Sequence, residues 1–351
     1  MENLPYETRQ QLGENILILE DARVLVTGGA GFIGSEVVRQ LCEKKAHVTV
    51  LDNFSSGKRK YIEGFDDVEV IESDICDEEK ISTALKDQEF VTHLAALPFI
   101  PDSYNFPQEF FNINTIGTIN IIWQSIQTGS VERFVHISTS EVYGSSKYIP
   151  MDEDHPTLPH STYAVSKLAA DRAVFTMHKE HGFPVVIIRP FNSFGPNITQ
   201  PYIIPEIILQ LLNGNSTLHL GNVESSRDFT FVSDTAKGII LALSEKRAIG
   251  ETINLGRSVD IKIRDLAFLL AELMGKEIRI ETDHARLRPF DVERLCCSNK
   301  KAEELLGWRP IVPLEDGLKS TIEWIKNEGL SFKDPFGGWT KTYNPRSIKF
   351  G

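Results

Sequence analysis

The stretch RVLVTGGAGFIG at residues 23–34 decides the fold of this chain. Its first five residues are rich in β-branched side chains and predict a buried strand. Gly28, Gly31 and Gly34 follow at intervals of three, a helix is expected to begin near Phe32, and helical periodicity covers residues 35–43. Glycines in such a turn permit a tight bend and a close approach of the backbone to a phosphate, while the free N–H groups at the helix start attract an anion. The stretch therefore predicts a strand–turn–helix unit that binds phosphate groups.

A carboxylate stands at the position where a dinucleotide-binding unit needs one. Asp52 closes the second predicted strand, 18 residues after Gly34. A carboxylate there accepts hydrogen bonds from the ribose hydroxyls of the cofactor and repels a 2′-phosphate. The spacing therefore favours NAD over NADP as the cofactor.

The first half of the chain alternates apolar strands with helical segments. Besides residues 23–27, strands are predicted at 47–51, 68–71, 90–94, 133–137 and 185–188. Continuous apolar strands separated by helices indicate a parallel sheet covered on both faces. The fold class is therefore α/β, with a Rossmann-like doubly wound parallel sheet and a smaller mixed α/β substrate-binding domain. The expected divisions are an N-terminal extension (1–22), an NAD-binding domain (23–190), a mainly substrate-binding domain (191–330) and a C-terminal tail (331–351).

Composition narrows the function classes. The 351 residues carry 37 Lys and Arg against 49 Asp and Glu, a formal net charge of −12, which argues against nucleic acid as the main partner. No apolar run reaches the ~18 residues that a membrane span needs. The first residues, MENLPYE, lack the basic start and apolar stretch of a signal peptide. Four cysteines fit neither a disulfide framework nor zinc spacing. We expect a cytoplasmic protein without a metal site.

A tyrosine and a lysine four residues apart suggest proton-transfer chemistry. Tyr163 and Lys167 share one face of a predicted helix. An ammonium group beside a phenol lowers the phenol pKa from its usual ~10, so this tyrosine is expected to take a hydroxyl proton while hydride leaves the same carbon. Upstream, Ser138, Thr139 and Glu141 follow a predicted strand, at the edge where parallel sheets bind ligands.

Together these motifs resemble the extended short-chain dehydrogenase/reductases that act on nucleotide sugars. The resemblance rests on TGGAGFIG, Asp52, HLAA at 93–96, STSEVYG at 138–144 and the Tyr163–Lys167 pair, and it runs from about residue 22 to 327. It implies that Asp74 and Ile75 flank the adenine. The implied cofactor-binding residues are Gly28, Gly31, Phe32, Ile33, Gly34, Asp52, Asn53, Ser55, Asp74, Ile75, Leu94, Ala95, Ala96, Tyr163 and Lys167.

The same resemblance implies a nucleotide-sugar site in the second half of the chain. Asn192, in the segment RPFNSFGP, would contact the substrate, and Arg227, in SRDFTFVSD, would approach the pyrophosphate. Arg288 stands at the place of a second phosphate-binding arginine. Arginine suits this role because its planar fork bonds two phosphate oxygens at once.

Glu141 is the residue that discriminates between reactions. The resemblance implies catalytic roles for Thr139, Ser140, Glu141, Tyr163 and Lys167, with Thr139 bonding the reacting hydroxyl. A 4,6-dehydratase needs a carboxylate for the carbon 5 proton, which a 4-epimerase does not. Glucose-nucleotide dehydratases usually carry an aspartic acid where this chain has Ser140, and Thr-Ser-Glu also resembles the UDP-glucuronate decarboxylases.

The segment from residue 286 to 310 decides our preference among these reactions. It looks more like the dehydratases of nucleotide-linked N-acetylglucosamine, and it lacks the basic run followed by Pro-Asp-Ile that is frequent in the decarboxylases. We therefore expect a 4,6-dehydratase of UDP- or GDP-N-acetylglucosamine, with a decarboxylase or a 4-epimerase as alternatives. The family also implies a homodimer built from helices near residues 110–128 and 162–180. A catalytically idle relative that binds NAD and a partner protein is disfavoured because the tyrosine, the lysine and the glycine turn are all present.

Overall fold

The computed structural model describes residues 17–65 and 67–328 of this chain, so the termini expected as an extension and a tail lie largely outside the described residues. Its main feature is a seven-stranded sheet in which every neighbouring pair is parallel. The strands in this sheet are β1 (Arg23–Thr27), β2 (His47–Asp52), β3 (Val68–Glu72), β4 (Phe90–His93), β5 (Arg133–Ile137), β6 (Val185–Pro190) and β10 (Thr252–Leu255).

The strand order is β3-β2-β1-β4-β5-β6-β10, which is the Rossmann order with one added strand. All six strands predicted from the sequence are present, each within two residues of its predicted ends, and the α/β class is confirmed. The order reverses between β1 and β4. Ligands bind beyond the carboxyl ends of the strands at such a reversal, so the topology alone points to this edge of the sheet.

Helices cover both faces of the sheet because the strand side chains alternate between two cores. Val24 and Val26 belong to one core and Leu25 to the other. The helices of the described chain are α1 (Phe32–Glu43), α2 (Glu78–Ala84), α3 (Ile100–Ser103), α4 (Pro107–Phe111), α5 (Thr118–Thr128), α6 (Thr162–His181), α7 (Ile203–Leu212), α8 (Val232–Ser244), α9 (Ile263–Leu273), α10 (Lys300–Leu306) and α11 (Leu314–Glu328). A π-helical turn, Asn112–Gly117, joins α4 to α5.

The second half of the chain contributes to both structural units. Its own core lies among α7, α9 and α11 and two small sheets. The strands of these sheets are β7 (Asn192–Phe194), β8 (Thr217–Leu220), β9 (Ser226–Phe231), β11 (Asp260–Lys262) and β12 (Arg279–Thr282). Helix α8 returns to pack on α1, and β10 pairs with β6. Residues 232–255 therefore lie on the side of the main sheet although they follow the domain boundary expected at residue 190, because a parallel crossover brings them back to that sheet.

No helix within residues 17–65 and 67–328 combines the length and the apolar character needed to cross a bilayer.

Candidate active site

A cleft of about 450 Å³ lies at the carboxyl edge of the main sheet, between it and the second unit. Its lining brings together residues that are up to 263 positions apart in the sequence, from Gly28 to Asp291. Every site residue predicted from the sequence lines this cleft. These residues are Gly28, Gly31, Phe32, Ile33, Gly34, Asp52, Asn53, Ser55, Asp74, Ile75, Leu94, Ala95, Ala96, Thr139, Ser140, Glu141, Tyr163, Lys167, Asn192, Arg227 and Arg288.

The glycine turn has no room for side chains. Gly28 has a φ of +70°, and a Cβ there would lie 2.7 Å from the backbone nitrogen of Ala95. A Cβ on Gly34 would lie 2.1 Å from the carbonyl oxygen of Gly28. Gly31 precedes α1 without a side chain to cap it, so the first N–H groups of this helix are left for an anion. The backbone thus leaves an open cradle at the helix start, a place that suits an anion.

Asp52 ties the glycine turn to the next loop. Its Oδ2 accepts a hydrogen bond from the N–H of Ala30 at 3.0 Å and its Oδ1 accepts one from the N–H of Phe54 at 2.8 Å. Burial raises the pKa of this carboxyl, and the two N–H groups partly offset that effect. Next to it, the amide of Asn53 donates to Asp74 at 2.8 Å, so the residues expected around the adenosine form one connected rim.

Tyr163 lies in the first turn of α6, which Ser161 caps by accepting the N–H of Ala164 at 3.1 Å. Its phenol hydrogen-bonds the side chain of Thr139. Thr139 in turn starts a short 3₁₀ turn, Ser140–Tyr143, and this turn places Glu141 in the same cleft as the phenol, near enough for its charge to raise the pKa of Tyr163. Glu141 is buried, with 8% of its surface exposed.

The expectation that Lys167 lowers the pKa of Tyr163 is wrong for this structure. Burial raises the pKa of Tyr163 to about 12, the bond with Thr139 lowers it, and the charge of Glu141 raises it further. The Nζ of Lys167 donates instead to the carbonyl oxygen of Ile137 at 2.6 Å. Burial also lowers the pKa of Lys167 to about 8, so this ammonium is itself readily deprotonated. Desolvation, which spacing cannot reveal, outweighs the expected charge effect.

Two histidines that the sequence reasoning left without a role lie beneath this centre. The Nδ1 and Nε2 of His93 lie 2.7 Å and 2.9 Å from the hydroxyls of Thr27 and Thr118, and burial lowers its pKa to about 3. His136 stacks on His93 with ring centroids 5.6 Å apart, and neither of its nitrogens has a hydrogen-bond partner among the described residues. Burial first, and then the charge of Lys167, lower the pKa of His136. Both rings are therefore neutral at physiological pH.

The predicted phosphate-binding arginines lie together on one carboxylate. Arg227 Nη2 and Arg288 Nη1 lie 3.4 Å and 3.6 Å from the same Oδ1 of Asp291. Burial lowers the pKa of Arg227, and the neighbouring Arg288 lowers it further, whereas Glu141 and Asp291 raise it. Asn192 also faces the cleft, and its buried Oδ1 has no hydrogen-bond partner among the described residues. An unpaired buried acceptor is costly, so a ligand donor is expected there.

Phe99, Tyr202 and Asp291 are among the cleft residues for which sequence reasoning gave no role. Phe99 and Tyr202 contact each other edge-on at 6.3 Å although they are about a hundred positions apart. The sequence did not single out Phe99 or Tyr202 because loop residues show no hydrophobic periodicity. An aromatic side chain outside a motif also belongs more often to a hydrophobic core than to a site. Asp291 is the one of the three with a signal in the sequence. It stands three positions after Arg288, and an arginine that faces an anion site needs an ionic partner nearby.

The chain matches the family model described as GDP-mannose 4,6 dehydratase over residues 25–321. It belongs to this family of extended short-chain dehydrogenase/reductases. A putative UDP-glucose 4-epimerase of Methanocaldococcus jannaschii is 33% identical over 87% of this chain and 98% of its own length. UDP-glucuronic acid decarboxylase 1 of Xenopus tropicalis is 33% identical over 87% of this chain and 72% of its own length. The human dTDP-D-glucose 4,6-dehydratase is 32% identical over 89% of this chain and 92% of its own length.

Solved structures of the family agree with the fold. The dTDP-glucose 4,6-dehydratase DesIV of Streptomyces venezuelae, with NAD and TYD bound, superposes with a TM-score of 0.81 at 31% identity, covering 87% of this chain and 97% of that one. A UDP-glucuronic acid 4-epimerase of Bacillus cereus, in complex with UDP-glucuronic acid and NAD, superposes with a TM-score of 0.81 at 31% identity. The match covers 87% of this chain and 99% of that one. The family as a whole therefore includes dehydratases, decarboxylases and epimerases of nucleotide sugars.

Proposed function

We propose that this protein is an NAD-dependent 4,6-dehydratase of UDP- or GDP-N-acetylglucosamine. The reaction would oxidise carbon 4, remove water across carbons 5 and 6, and return the hydride to carbon 6 while carbon 5 takes a proton from solvent. The observation that carries the proposal is the position of Glu141, a buried carboxylate beside the Tyr163 phenol inside the cleft. A 4-epimerase has no use for a base at that place. The four free cysteines agree with a reducing cytoplasm as its location.

The chemistry of the cleft fits NAD. The glycine turn would receive the pyrophosphate, because a Cβ at Gly28 or Gly34 would fill the space that the backbone leaves. Asp52 would accept the ribose hydroxyls, since each carboxylate oxygen keeps a lone pair beyond the one that its N–H partner uses. NAD, when bound, supplies the group that takes up and returns a hydride.

Tyr163 would take the proton from the hydroxyl on carbon 4. Its partner Thr139 would orient that hydroxyl by hydrogen bonding, as it does the phenol itself. Lys167 would stay anchored on the carbonyl of Ile137 at the wall of the same cleft. The buried surroundings exclude water, which strengthens each of these interactions.

Glu141 would remove the proton at carbon 5 once carbon 4 is a ketone, because the ketone acidifies that position. The hydroxyl on carbon 6 then leaves as water and needs a proton. Ser140 lies in the same 3₁₀ turn and is uncharged, so Glu141 itself, holding the carbon 5 proton, is the donor we propose.

The other end of the cleft would hold the diphosphate. Arg227 and Arg288 are close enough to share a single carboxylate oxygen of Asp291, so two phosphate oxygens can bind the pair at once. Asn192 would donate its amide N–H or accept a sugar hydroxyl at its unpaired Oδ1.

A second candidate reaction is the decarboxylation of UDP-glucuronic acid. The residue that favours it is Ser140, because a β-keto acid loses carbon dioxide without a protonated acid at that position. Incubation of the purified protein with UDP- and GDP-N-acetylglucosamine, UDP-glucose and UDP-glucuronic acid, followed by mass spectrometry, tests both. Loss of one water from an N-acetylglucosamine nucleotide supports the proposal. Loss of carbon dioxide, or a product of unchanged mass that chromatography separates from its substrate, contradicts it.

Asp52 gives a prediction on cofactor choice. Asp52→Ala should weaken NAD binding by about tenfold and narrow the preference for NAD over NADP, because the carboxylate that bonds the ribose and repels a 2′-phosphate is gone. Titration of both cofactors by tryptophan fluorescence measures this. Asp52→Asn is the matched control, since it keeps one acceptor for the glycine turn but removes the charge. If Asp52→Ala leaves the ratio of NAD affinity to NADP affinity unaltered, another residue selects the cofactor.

We also propose that the protein is a homodimer through α5 and α6. These helices are joined by an edge contact between Trp123 and His181, with ring centroids 5.6 Å apart. Large apolar side chains are exposed on both helices and on the segment before them: Phe111 at the end of α4, Ile116 in the π-helical turn, Trp123 in α5 and Val165 in α6, each between 37% and 49% exposed. Exposed apolar side chains of this kind on neighbouring helices are typical of a subunit interface.

Trp123→Glu tests that dimer. A charge buried in an apolar interface is strongly unfavourable, so this variant should be monomeric where the wild type is dimeric. Sedimentation velocity at micromolar concentration measures the outcome. Phe268→Glu, at a similarly exposed aromatic on α9 of the second unit, is the control and should sediment as the wild type does. A monomeric wild type contradicts the proposal directly.

A further inference from the structure

A buried guanidinium near the carboxyl end of β6 lies outside the cleft lining. The side chain of Arg189 is 3% exposed, and that of Asp171 is fully buried. Arg189 Nε and Nη2 donate to the two carboxylate oxygens of Asp171 at 2.8 Å and 3.1 Å. A planar guanidinium that bonds both oxygens of one carboxylate is held in a single orientation. The remaining nitrogen of Arg189, Nη1, therefore points in a fixed direction.

That nitrogen bonds Tyr143, which is fully buried. Arg189 Nη1 donates to Tyr143 Oη at 2.9 Å, and the guanidinium carbon lies 4.9 Å from the centre of the ring. Since arginine can only donate, Tyr143 Oη accepts this bond, and its own proton goes to Asn254 Oδ1 at 2.8 Å. The Nδ2 of Asn254 then donates to the carbonyl oxygen of Met151 at 3.2 Å. Each bond has one possible direction, so the chain of donors has a single arrangement.

Tyr143, Arg189 and Asp171, which we call the Arg189 cluster, join the elements that carry the proposed catalytic residues. Tyr143 is the last residue of the 3₁₀ turn that contains Glu141. Asp171 lies on α6, about two helical turns after Tyr163. The strand of Arg189, β6, pairs with β5, which leads into the same turn. The Arg189 cluster thus connects the turn of Glu141 to the helix of Tyr163.

Glu141 lies between two connections of its turn to α6. At the start of the turn, Thr139 bonds the phenol of Tyr163, and its Oγ1 accepts the N–H of Glu141 at 3.2 Å. At the end of the turn, Tyr143 reaches the same helix through the guanidinium. The carbonyl oxygen of Glu141 accepts the N–H of Gly144 at 3.2 Å, a bond that shapes the turn without fixing its place. Loss of the second connection therefore leaves the turn bonded to α6 at one end.

We infer that the Arg189 cluster sets the position of Glu141 relative to Tyr163. Arg189 does not line the cleft, so it acts through Tyr143 and is a positioning residue. A shift of about 1 Å in a reacting group lowers its rate by about 10². Proton removal at carbon 5 then depends on the cluster, whereas oxidation at carbon 4 needs Tyr163 and not Glu141. This consequence rests on the proposed function, in which Glu141 is the base.

Tyr143→Phe tests the connection with the smallest change. The variant keeps the buried ring and removes the oxygen that links Arg189 to Asn254. In crystal structures of the NAD-loaded wild type and variant, we expect the Cα of Glu141 to differ by more than about 0.5 Å relative to α6. Exchange of the carbon 5 proton of UDP-N-acetylglucosamine with deuterated water should fall about 10- to 100-fold. Reductive trapping with borodeuteride should still detect the 4-keto sugar.

Arg189→Lys is the second variant, and Arg133→Lys is its matched control. A lysine bonds Asp171 without the fork that reaches Tyr143 at the same time, so carbon 5 exchange should fall as in Tyr143→Phe. Arg133 is also buried, but it begins β5 at the amino edge of the sheet. Its Nη1 donates to two carbonyl oxygens at the carboxyl end of α8, at 3.3 Å and 2.7 Å. Both lysine variants should unfold at a lower temperature than the wild type, whereas Arg133→Lys should keep wild-type exchange.

The outcomes separate this inference from the proposed reaction. A Glu141 that does not move in Tyr143→Phe overturns the positioning role. If Arg133→Lys loses as much exchange as Arg189→Lys, general destabilisation explains both losses and the positioning role is overturned as well. A displaced Glu141 with wild-type exchange supports the positioning role and overturns Glu141 as the base. If the wild type exchanges no carbon 5 proton, the dehydration is wrong, and the displacement of Glu141 alone decides the positioning role.

Discussion

Tyr163→Phe should reduce turnover by a factor of about 10²–10⁴ while cofactor and substrate binding survive. The variant removes the only atom that we propose for the proton on carbon 4, and it keeps the ring. That ring packs edge-on against Phe110, with centroids 6.3 Å apart and planes at 90°, so the fold around α6 has no reason to change. Product formation is followed by mass spectrometry, and binding by calorimetry on the same preparation.

The pH profile sharpens this prediction. Burial raises the pKa of Tyr163 to about 12, so at neutral pH the phenol holds its proton and must lose it before it can accept another. The wild-type rate should therefore increase as the pH rises from 6 toward 8. Lys167, with a pKa of about 8, stays largely charged at the lower end of this range. The residual rate of Tyr163→Phe should lack this increase. A variant that turns over at the wild-type rate, or that keeps the same pH dependence, would remove Tyr163 from the mechanism.

Glu141→Gln should block water loss and leave the oxidation at carbon 4 in place. Glutamine keeps the shape of the side chain and cannot take a proton, so product formation should fall by about 10²–10⁴. Exchange of the carbon 5 proton with deuterated water should nearly stop, whereas reductive trapping with borodeuteride should still detect a 4-keto sugar. The two readouts together locate the block between oxidation and elimination.

Glu153→Gln is the matched control for Glu141→Gln. Glu153 is a half-buried carboxylate that accepts the N–H of Asn254 at 2.7 Å, and it does not line the cleft. Its variant should exchange the carbon 5 proton as the wild type does. Normal exchange in Glu141→Gln as well would show that another group acts as the base and would contradict the dehydratase proposal at its central residue.

The sheet and the cofactor edge could be predicted from the sequence because they depend on short-range rules. A strand, three glycines spaced by three, and an acid at the end of the next strand each have a local physical reason, and parallel topology brings the strand ends to one edge. For this reason the sequence alone was enough to assign residues as distant as Asp52 and Glu141 to one site, and both line the cleft. Arg227 and Arg288 came from a likeness to a family rather than from a local rule, and the structure brings them to within 3.6 Å of one carboxylate oxygen.

What escaped prediction depends on burial and on contacts between distant loops. The spacing of Tyr163 and Lys167 predicted a lowered phenol pKa, but the fold buries both groups and turns the ammonium toward Ile137. The contact of Phe99 with Tyr202 and the return of β10 to the main sheet likewise have no local pattern. Residue types and their order were thus enough to decide the architecture and the kind of chemistry, since those follow from backbone rules and side-chain inventory. Protonation energies and the walls around the substrate were decided only when folding removed water from these groups.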